Sequence, residues 1–595
     1  MLILGISCFY HDAAAALVLD GQLVAAAEEE RFSRKKHDSG FPINACKFVL
    51  RAAGVTLADV DYVVFYEKPL AKFDRILRSA LATWPLSLNP FREAMIVWLG
   101  DKLWMKSEIR KHLPVPADRI LFTEHHISHA ASAMFCAPYE SAAVLSVDGV
   151  GEWTTTAIGR ASADWTGDGR NEVKLLEEIH FPHSLGLLYS AFTAWLGFRV
   201  NNGEYKVMGM APYGEPKYVD KVRQVIRLEP DGSFGLDMSY FTYHHSATRT
   251  FGPKFVELFG EPREREAAFY TDRVDRPDDY DPAYAAKCQY YADVAASIQE
   301  VTEEAVLALA RRARELTGEK NLVMAGGVAL NSVANGRVLT EAGFDQVYIQ
   351  PAAGDSGGAL GAALYAYHVL LGQKRTFTME HAYWGEEYSN ADTERFLQRE
   401  SIAYRTLDDD ELLPLLAARL ERQEVIGWYQ GRFEWGPRAL GNRSILADPR
   451  HEAMKKIVNE KIKFREPFRP FAPAVLESRT QEFFECPDPE GVYPLRYMLM
   501  VRQVQEAQRG VIQATTHSDG SGRLQTVRPE WNSRYYALIE EFGRRTGVPI
   551  LLNTSFNLRG EPVVTTPANA YNTFANSELD ALVIGNYLIT KRGEA

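Results

Sequence analysis

Short apolar runs separated by turn residues open the chain and predict a strand-rich start. Leu2–Ser7 and Ala14–Leu19 are continuous apolar runs, which are typical of buried strands. The pair Asp20 and Gly21 then joins the second run to a third, Leu23–Ala27, and an Asp-Gly pair between apolar runs predicts a two-residue hairpin. The opening therefore predicts three consecutive strands.

The same pattern returns further along the chain. The run AAVLSVDGVGEWTTTAIG (142–159) reads as strand, Asp-Gly turn and strand, which resembles the opening and predicts a duplicated architecture. A long helical periodicity over Ala285–Leu316 precedes two segments, LVMAGGVALN and VYIQPAAGDSGGALGAA, in which a strand leads through a glycine turn into a helix. Alternating strands and helices predict an α/β fold.

The length and one shift in composition predict two domains. A chain of 595 residues is too long for a single core. Around Gly372–Ser389 the sequence becomes polar and aromatic without a clear period, and we place the boundary there, with domains at residues 1–375 and 390–595. The second part again alternates strands, such as Val425–Tyr429 and Ala581–Ile584, with helices, which predicts a second α/β domain.

Charge and cysteine content exclude several classes of protein. The 66 Lys and Arg residues against 78 Asp and Glu give a net charge of −12, which argues against a general binder of nucleic acid or membrane surfaces. Five dispersed cysteines without a C-x-x-C pair argue against a disulfide framework and favour a reducing cytoplasm. No apolar run reaches the ~20 residues of a membrane span, and the N-terminus lacks the basic region of an export signal.

A histidine pair is the first candidate for chemistry. In EHHISHAAS, His125 and His129 have i, i+4 spacing, so on a helix both imidazoles point from one face towards a common cation. Asp148 and Asp355, each at a strand end, could complete a metal site. Two imidazoles and carboxylates suit Fe(II) or Mn(II), and less typically Zn(II). The alternatives are a histidine-rich helix start without metal, and aspartates that only form turns or caps.

Glycine turns and a basic cluster are candidates for binding anions. The turn AGGVALN contains Gly326, Gly327 and Asn331 where a strand leads into a helix, and free N–H groups at such a point favour phosphate. Tight turns need glycine for conformational reasons alone, which is the competing interpretation. The C-terminal part concentrates cations, amides and a hydroxyl that suit a small phosphate or a nucleotide: Lys463, Arg465, Arg469, Arg523, Asn553, Ser555 and Asn557. The alternative for the cations is a solvated charged loop, and for the other residues it is turn or cap chemistry.

These motifs together resemble one known family. The segments ILGIS, HDAAAALV, EEERFSRKKHDSGFP, HHISHAASAMF, VDGVGEW, GEYKVMGMAPYG, GGVALN, GDSGGALGAA, WGPRALGNRSI, KFREPFRPFAP and NTSFN occur in order along nearly the whole chain. The chain resembles the NodU/CmcH-type O-carbamoyltransferases in all of them.

The resemblance implies a fold and a reaction. It implies a duplicated actin/sugar-kinase-like N-terminal domain and a YrdC-like α/β C-terminal domain. The latter would convert carbamoyl phosphate and ATP, with Mg, into carbamoyl-adenylate, and the former would transfer the carbamoyl group at an Fe(II) site to a hydroxyl of a small-molecule acceptor.

The resemblance also implies roles for individual residues. The metal ligands would be His125, His129, Asp148 and Asp355, and His11 would be the general base. Contacts to carbamoyl phosphate would come from Lys463 and Arg469, whereas the adenylate-forming pocket would include Arg523, Asn553 and Ser555. Glu204 and Lys206 lie in a matching motif without an assigned role.

Two other functions stay open at this point. One is a sugar- or acetate-kinase-like phosphotransferase, which would leave the basic cluster and the histidine pair unused. The other is a non-catalytic nucleotide-binding protein of the same fold. The acceptor is not defined by the sequence, although Leu81–Trp104 and Glu229–Asp281 are candidates for substrate-facing insertions. The oligomeric state is also open, with a homodimer as one option.

Overall fold

The structure is a computed structural model that describes residues 1–100, 102–167, 169–272, 274 and 276–591. It divides into two compact units. The first comprises Met1–Glu29 and Ser39–Met379, and the second comprises Glu30–Asp38 and Glu380–Ala595. By its contacts, the short segment 30–38 thus belongs with the C-terminal half of the chain.

The first unit contains twelve of the strands among the described residues. They are β1 Leu2–Ser7, β2 Ala14–Leu19, β3 Gln22–Glu28, β4 Tyr62–Phe65, β5 Ile120–Phe122, β6 Ser141–Val147, β7 Thr154–Ser162, β8 Glu172–His180, β9 Ile226–Leu228, β10 Phe234–Leu236, β11 Asn321–Ala325 and β12 Gln346–Ile349. Helix α1, Glu30–Ser33, lies in the second unit. The helices of the first unit are α2 Ile43–Ala52, α3 Pro69–Ala82, α4 Leu88–Gly100, α5 Met105–His112, α6 His125–Met134, α7 Leu185–Trp195, α8 Glu204–Met210, α9 Val219–Val222, α10 Pro253–Phe259, α11 Pro282–Thr317, α12 Ser332–Glu341 and α13 Asp355–Tyr365, which a π-helical turn extends over Ala366–Leu370.

The predicted duplication of the first unit is confirmed by its strand topology. One five-stranded sheet has the order β3-β2-β1-β4-β5 and the other has the order β8-β7-β6-β11-β12. In each sheet the first three strands are antiparallel and the remaining pairings are parallel. Apart from the edge strand β8, which alternates polar and apolar residues, their residues are largely buried and apolar, which explains the continuous apolar runs in the sequence.

The second unit is also α/β, as the sequence predicts. Its strands are β13 Arg405–Thr406, β14 Ile426–Tyr429, β15 Arg443–Ala447, β16 Ala472–Leu476, β17 Arg502–Gln503, β18 Ser521–Gly522, β19 Gln525–Val527, β20 Ile550–Ser555, β21 Ala581–Ile584 and β22 Tyr587–Thr590. Besides α1, its helices are α14 Asn390–Arg399, α15 Asp409–Glu421, α16 Ala453–Lys456, α17 Pro529–Thr546 and α18 Pro567–Ala575, with a π-helical turn at Ile457–Ile462 after α16.

Two apolar cores cover the faces of the main sheet in the second unit. That sheet has the order β13-β22-β21-β14-β15-β20-β16-β19. Neighbouring residues on a strand belong to opposite cores, as with Tyr429 and Trp428, or Leu552 and Leu551. This is the two-residue period of a strand that is covered on both sides. No helix among the described residues has both the length and the apolar composition needed to cross a bilayer.

Candidate functional site

Four side chains of the first unit converge on one point. Nε2 of His125 lies 3.0 Å from Nε2 of His129 and 3.0 Å from an Asp148 oxygen. An Asp355 oxygen is 3.5 Å from the first imidazole and 3.6 Å from the second. All four residues are buried and offer one ligand atom each within 4.8 Å of one another.

The duplicated fold brings these residues together. Helix α6, which carries both histidines, follows β5, and α13, which begins at Asp355, follows the equivalent strand β12. The two helices pack closely because Gly361 on α13 admits the carbonyl of Ser128, from which a Cβ would be only 1.8 Å away. Asp148 follows β6, the counterpart of β1. The sequence separates these residues widely, and only the pairing of the two halves gathers them.

The glycine turn after β11 holds Asp148 in place. The N–H of Gly327 donates to Oδ1 of Asp148 at 2.8 Å, which leaves Oδ2 facing the histidines. Gly326 has φ +91°, and a Cβ there would lie 2.2 Å from the Val147 carbonyl oxygen. Asn331 caps α12 by accepting from the Ala334 N–H at 3.2 Å, and its amide also pairs with Gln299. In this structure, the turn predicted to bind phosphate contacts the aspartate and its own helix.

The pKa values of the four residues in the cluster depend on one another's charges. Burial opposes a positive charge on His129, but the carboxylates of Asp148 and Asp355 outweigh it and raise the pKa of His129 to about 9. Burial likewise opposes the negative charge on Asp148, but His125 and His129 outweigh it and hold the pKa of that carboxyl well below its usual range. Two acidic groups that remain ionised in a buried pocket provide a site for a cation.

The donor set fits a first-row divalent metal. A metal–ligand distance of about 2.1 Å gives neighbouring ligands separations of about 3.0 Å in an octahedron and about 3.4 Å in a tetrahedron. The separations in the cluster are 3.0 Å for two pairs of ligand atoms and 3.5 and 3.6 Å for two others, so each lies within about 0.2 Å of one of these values. Two imidazole nitrogens with two carboxylates suit Fe(II), Mn(II) or Zn(II).

His126 is directed elsewhere. Its Nδ1 lies 2.8 Å from the Ser146 hydroxyl and its Nε2 lies 2.9 Å from the Thr154 carbonyl. Burial, together with the neighbouring imidazoles, lowers the pKa of His126 to about 3. It therefore ties α6 to β6 and β7 as a neutral ring.

His11 and several charged residues lie beside the cluster. The loop after β1 carries Tyr10 and His11, whose rings are 4.1 Å apart. Burial opposes the negative charge of Asp355, but His129, His125 and, to a smaller extent, His11 outweigh it and lower the pKa of that carboxyl. Nζ of Lys72 lies 4.3 Å from the centre of the Tyr10 ring and 2.6 Å from a Glu67 oxygen. Lys72 belongs to α3, a helix to which the sequence analysis assigned no site residue.

A second group of cations lies in the second unit. Lys463 is buried, and its ammonium donates to the carbonyls of Ser555 and Asn557 at 2.6 and 2.7 Å and to the Asn557 side chain at 2.6 Å. Burial and the nearby charges of Arg465, Arg469 and Lys36 lower its pKa well below the ordinary lysine value. Lys463 thus fixes both the end of β20 at Ser555 and the turn that follows it at Asn557.

Arginines accumulate next to this turn. Arg523 is half-buried, and its buried Nε has no hydrogen-bond partner among the described residues. Burial and the charges of Arg438 and Arg469 lower the pKa of Arg523. His517 is half-buried, its buried Nε2 is unpartnered in the described part of the chain, and burial lowers its pKa to about 4. A group of arginines this close together favours an anionic ligand.

Other predicted residues have structural partners. Asn553 donates to the Ala439 carbonyl at 3.2 Å and to Gln525 at 2.9 Å, while its buried Oδ1 has no partner among the described residues. Glu204 accepts from Ser190 and from the Asn201 N–H, both at 2.9 Å. Nζ of Lys206 lies 5.3 Å from the centre of the Phe198 ring.

Several residues of these groups have no clear signal in the sequence. Lys36 comes from the segment 30–38, which is distant in sequence from the rest of the second unit. His517 stands alone in THSDGSGR, without a spacing that would suggest a role. For Lys36, the one sequence signal is the concentration of cations in RFSRKKHD (31–38), which could have been grouped with the basic cluster of the C-terminal part.

Comparison with known proteins places the chain among carbamoyltransferases. Residues 2–364 match the family model "Carbamoyltransferase N-terminus" and residues 417–591 match "Carbamoyltransferase C-terminus". The chain is 46% identical to the uncharacterized protein sll1178 of Synechocystis sp., covering 100% of this chain and 97% of the other. It is 38% identical to nodulation protein NolNO of Sinorhizobium fredii over 98% and 79% of the two chains. It is also 32% identical to 3'-hydroxymethylcephem-O-carbamoyltransferase of Amycolatopsis lactamdurans, over 56% of this chain and 63% of that enzyme.

Proposed function

This chain belongs to the carbamoyltransferase family and is a transferase, and from that premise we propose that it is an ATP-dependent O-carbamoyltransferase with two chemical centres. The observation that carries the proposal is the presence of two differently charged sites, one in each unit. The imidazole–carboxylate cluster of the first unit suits a cation. The arginines of the second unit suit phosphate groups.

The second unit would prepare the activated carbamoyl group. Carbamoyl phosphate would give carbamate and phosphate by cleavage with water, and a carbamate oxygen would then attack the α-phosphorus of ATP and release pyrophosphate. The product is carbamoyl-adenylate, in which AMP is the leaving group. Arg523 and Arg469 would bind the phosphate charge of these substrates, since the two guanidinium groups lie near enough for the charge of Arg469 to lower the pKa of Arg523.

Lys463 would act mainly by position. Its three donors are directed at the turn after β20, so it would hold Ser555 and Asn557 where they face the anion pocket. Its positive charge would add to the attraction for phosphate.

The first unit would transfer the carbamoyl group. A hydroxyl oxygen of the acceptor would attack the carbamoyl carbon, the bond to AMP would break, and the hydroxyl proton would pass to His11. An imidazole is suited to this proton transfer near neutral pH. His125, His129, Asp148 and Asp355 would hold a divalent ion such as Fe(II). When bound, that ion supplies Lewis-acid polarisation and a template for the reacting groups.

Separate assays of the two half-reactions test the proposal. Incubation with ATP, Mg²⁺ and carbamoyl phosphate should release pyrophosphate, and addition of a hydroxyl compound that serves as acceptor should yield a carbamate ester. We expect Arg523→Gln to abolish pyrophosphate release. We expect His11→Ala to preserve it and to block ester formation, because the two residues belong to different units.

The controls are chosen to separate a local effect from misfolding. Arg496→Gln removes another buried arginine of the second unit, one that pairs with Glu380, and should leave the chemistry of the anion pocket in place if folding is preserved. Equal loss of both half-reactions in folded Arg523→Gln and His11→Ala proteins would contradict the assignment of two centres. Phosphorylation of the hydroxyl compound without carbamoyl phosphate would indicate a kinase instead.

A further inference from the structure

The connection between β4 and β5 contains more helices than the equivalent connection in the other half of the first unit. In the second half of the first unit, the equivalent connection from β11 to β12 covers residues 326–345 and contains α12 with one short 3-10 turn. In the first half it covers residues 66–119 and contains α3, α4 and α5. The sheet requires only the shorter connection, so the additional helices need another explanation.

These helices expose an unusual amount of apolar surface. Nine of the fifteen large hydrophobic side chains that are exposed in the described part of the chain belong to this connection. We call them the apolar cap: Leu70, Leu81, Trp84, Leu86, Leu88, Ile96, Val97, Leu99 and Trp104. Ile96 is 69% exposed and Trp104 is 63% exposed. A concentration of this kind marks an interaction surface, whereas single exposed apolar residues do not.

Helix α4 shows that the described part of the chain leaves the apolar cap largely uncovered. Of its thirteen residues, only Trp98 is buried, against Phe73 with ring centres 5.9 Å apart. A helix of this length gains most of its stability from packing its apolar face, and α4 instead directs Ile96, Val97 and Leu99 outwards. Helix α3 differs, because it turns Lys72 and Arg75 inwards and leaves Leu70 and Leu81 exposed.

The charge around the apolar cap favours an anionic binding partner. The exposed cations of residues 69–112 are Arg78, Arg92, Lys106, Arg110 and Lys111, and Glu93 is the one residue of that stretch, among those described, that is an exposed acid. Two of the five cations have acidic partners, Arg78 with Asp74 and Lys111 with Glu108, so the excess rests mainly on the other three. This local excess of positive charge contrasts with the net charge of −12 of the whole chain. We propose that the apolar cap docks on an anionic lipid bilayer, with its leucines and tryptophans in the interface and its cations at the headgroups.

The composition of the apolar cap supports a lipid surface over a second copy of the chain. In a twofold dimer the same patch faces itself, so one positively charged patch would face another. A bilayer of anionic lipid offers the opposite charge, and exposed tryptophans such as Trp84 and Trp104 are typical of the level of the headgroups. The net charge of −12 argued against a membrane partner because it sums over the whole chain and hides the local excess of positive charge at the apolar cap.

Co-sedimentation with vesicles tests the proposal on the full chain. We expect binding to vesicles of phosphatidylcholine mixed with phosphatidylserine, and much weaker binding to pure phosphatidylcholine. Raising NaCl from about 0.1 M to about 1 M shortens the screening length from about 10 Å to about 3 Å and should release the protein. The variant Ile96→Ser/Leu99→Ser/Trp104→Ser should lower the partition coefficient by at least about tenfold.

Two further variants make the result decisive. Arg92→Glu/Lys106→Glu/Arg110→Glu keeps the apolar side chains and should abolish the preference for phosphatidylserine. Leu176→Ser/Leu316→Ser removes exposed leucines elsewhere in the first unit and should bind as the wild type does. The proposal is overturned if the wild type ignores both kinds of vesicle, if the control loses binding equally, or if light scattering shows a dimer that the apolar variant dissociates. Pyrophosphate release should be the same in all these variants, which separates this test from that of the proposed function.

Discussion

The crossing of α6 and α13 at Gly361 gives a prediction whose size follows from the structure. A Cβ at position 361 would lie 1.8 Å from the Ser128 carbonyl oxygen and 2.9 Å from Cβ of Ser132, whereas ordinary contact begins at 3.4 Å. In Gly361→Ala, the helices must therefore separate by about 1.6 Å at this point or retain an overlap. Overpacking of this kind costs about 1–3 kcal/mol of stability.

The separation would reach the four-residue cluster. His129 lies on α6 and Asp355 begins α13, so the distance between their ligand atoms, now 3.6 Å, depends on this crossing. Metal sites tolerate deviations of about 0.2 Å in ligand distance, far less than the separation that the alanine requires. We expect Gly361→Ala to lose most of its bound metal and to unfold at a lower temperature. Elemental analysis and thermal denaturation, with and without chelator, measure the two effects.

Gly354→Ala is the matched control. Gly354 directly precedes Asp355, has φ −80° and has no atom within 4 Å of an added Cβ, so alanine fits there without a clash. This variant should retain metal and stability. If Gly361→Ala binds metal with wild-type stoichiometry and denatures at the wild-type temperature, the close packing of the two helices does not position the ligands and our reasoning is refuted.

Three further predictions address the metal, the anion pocket and acid stability. The protein as isolated should contain one transition-metal ion per chain and His129→Ala should contain none, by elemental analysis; active wild-type protein without metal would contradict this. Lys463→Met should raise the KM values for both carbamoyl phosphate and ATP in pyrophosphate release, because it frees the end of β20 at Ser555. Unchanged KM values in steady-state kinetics would show that the lysine has no positioning role. Burial lowers the pKa of His368 to about 4, so at mildly acidic pH the imidazole binds a proton more readily in the unfolded chain than in the folded one. The free energy of unfolding therefore falls as pH drops from about 6.5 to about 4, by about 1.4 kcal/mol per pH unit. His368→Gln should flatten that dependence in thermal melts at pH 7 and 5, and an unchanged slope would assign the acid sensitivity to other groups.

The sequence by itself determined the elements and the chemical types of the candidate residues. Continuous apolar runs placed most strands of both sheets in the first unit, because strands covered on both faces leave few polar positions, whereas the half-exposed edge strand β8 was not predicted. The repeated strand–turn–strand pattern predicted the duplication, and i, i+4 spacing placed His125 and His129 on one helical face, since local geometry alone fixes that relation.

Only the tertiary structure decided which distant residues meet. Asp148 and Asp355 reach the histidines because equivalent strands of two sheets end next to each other and Gly361 lets two helices touch, and neither fact has a local signature. The segment 30–38 joins the second unit and brings Lys36 to Lys463, although it is distant in sequence from the rest of that unit. Long-range packing depends on the sum of many weak contacts, so the sequence pattern of any one segment does not contain it.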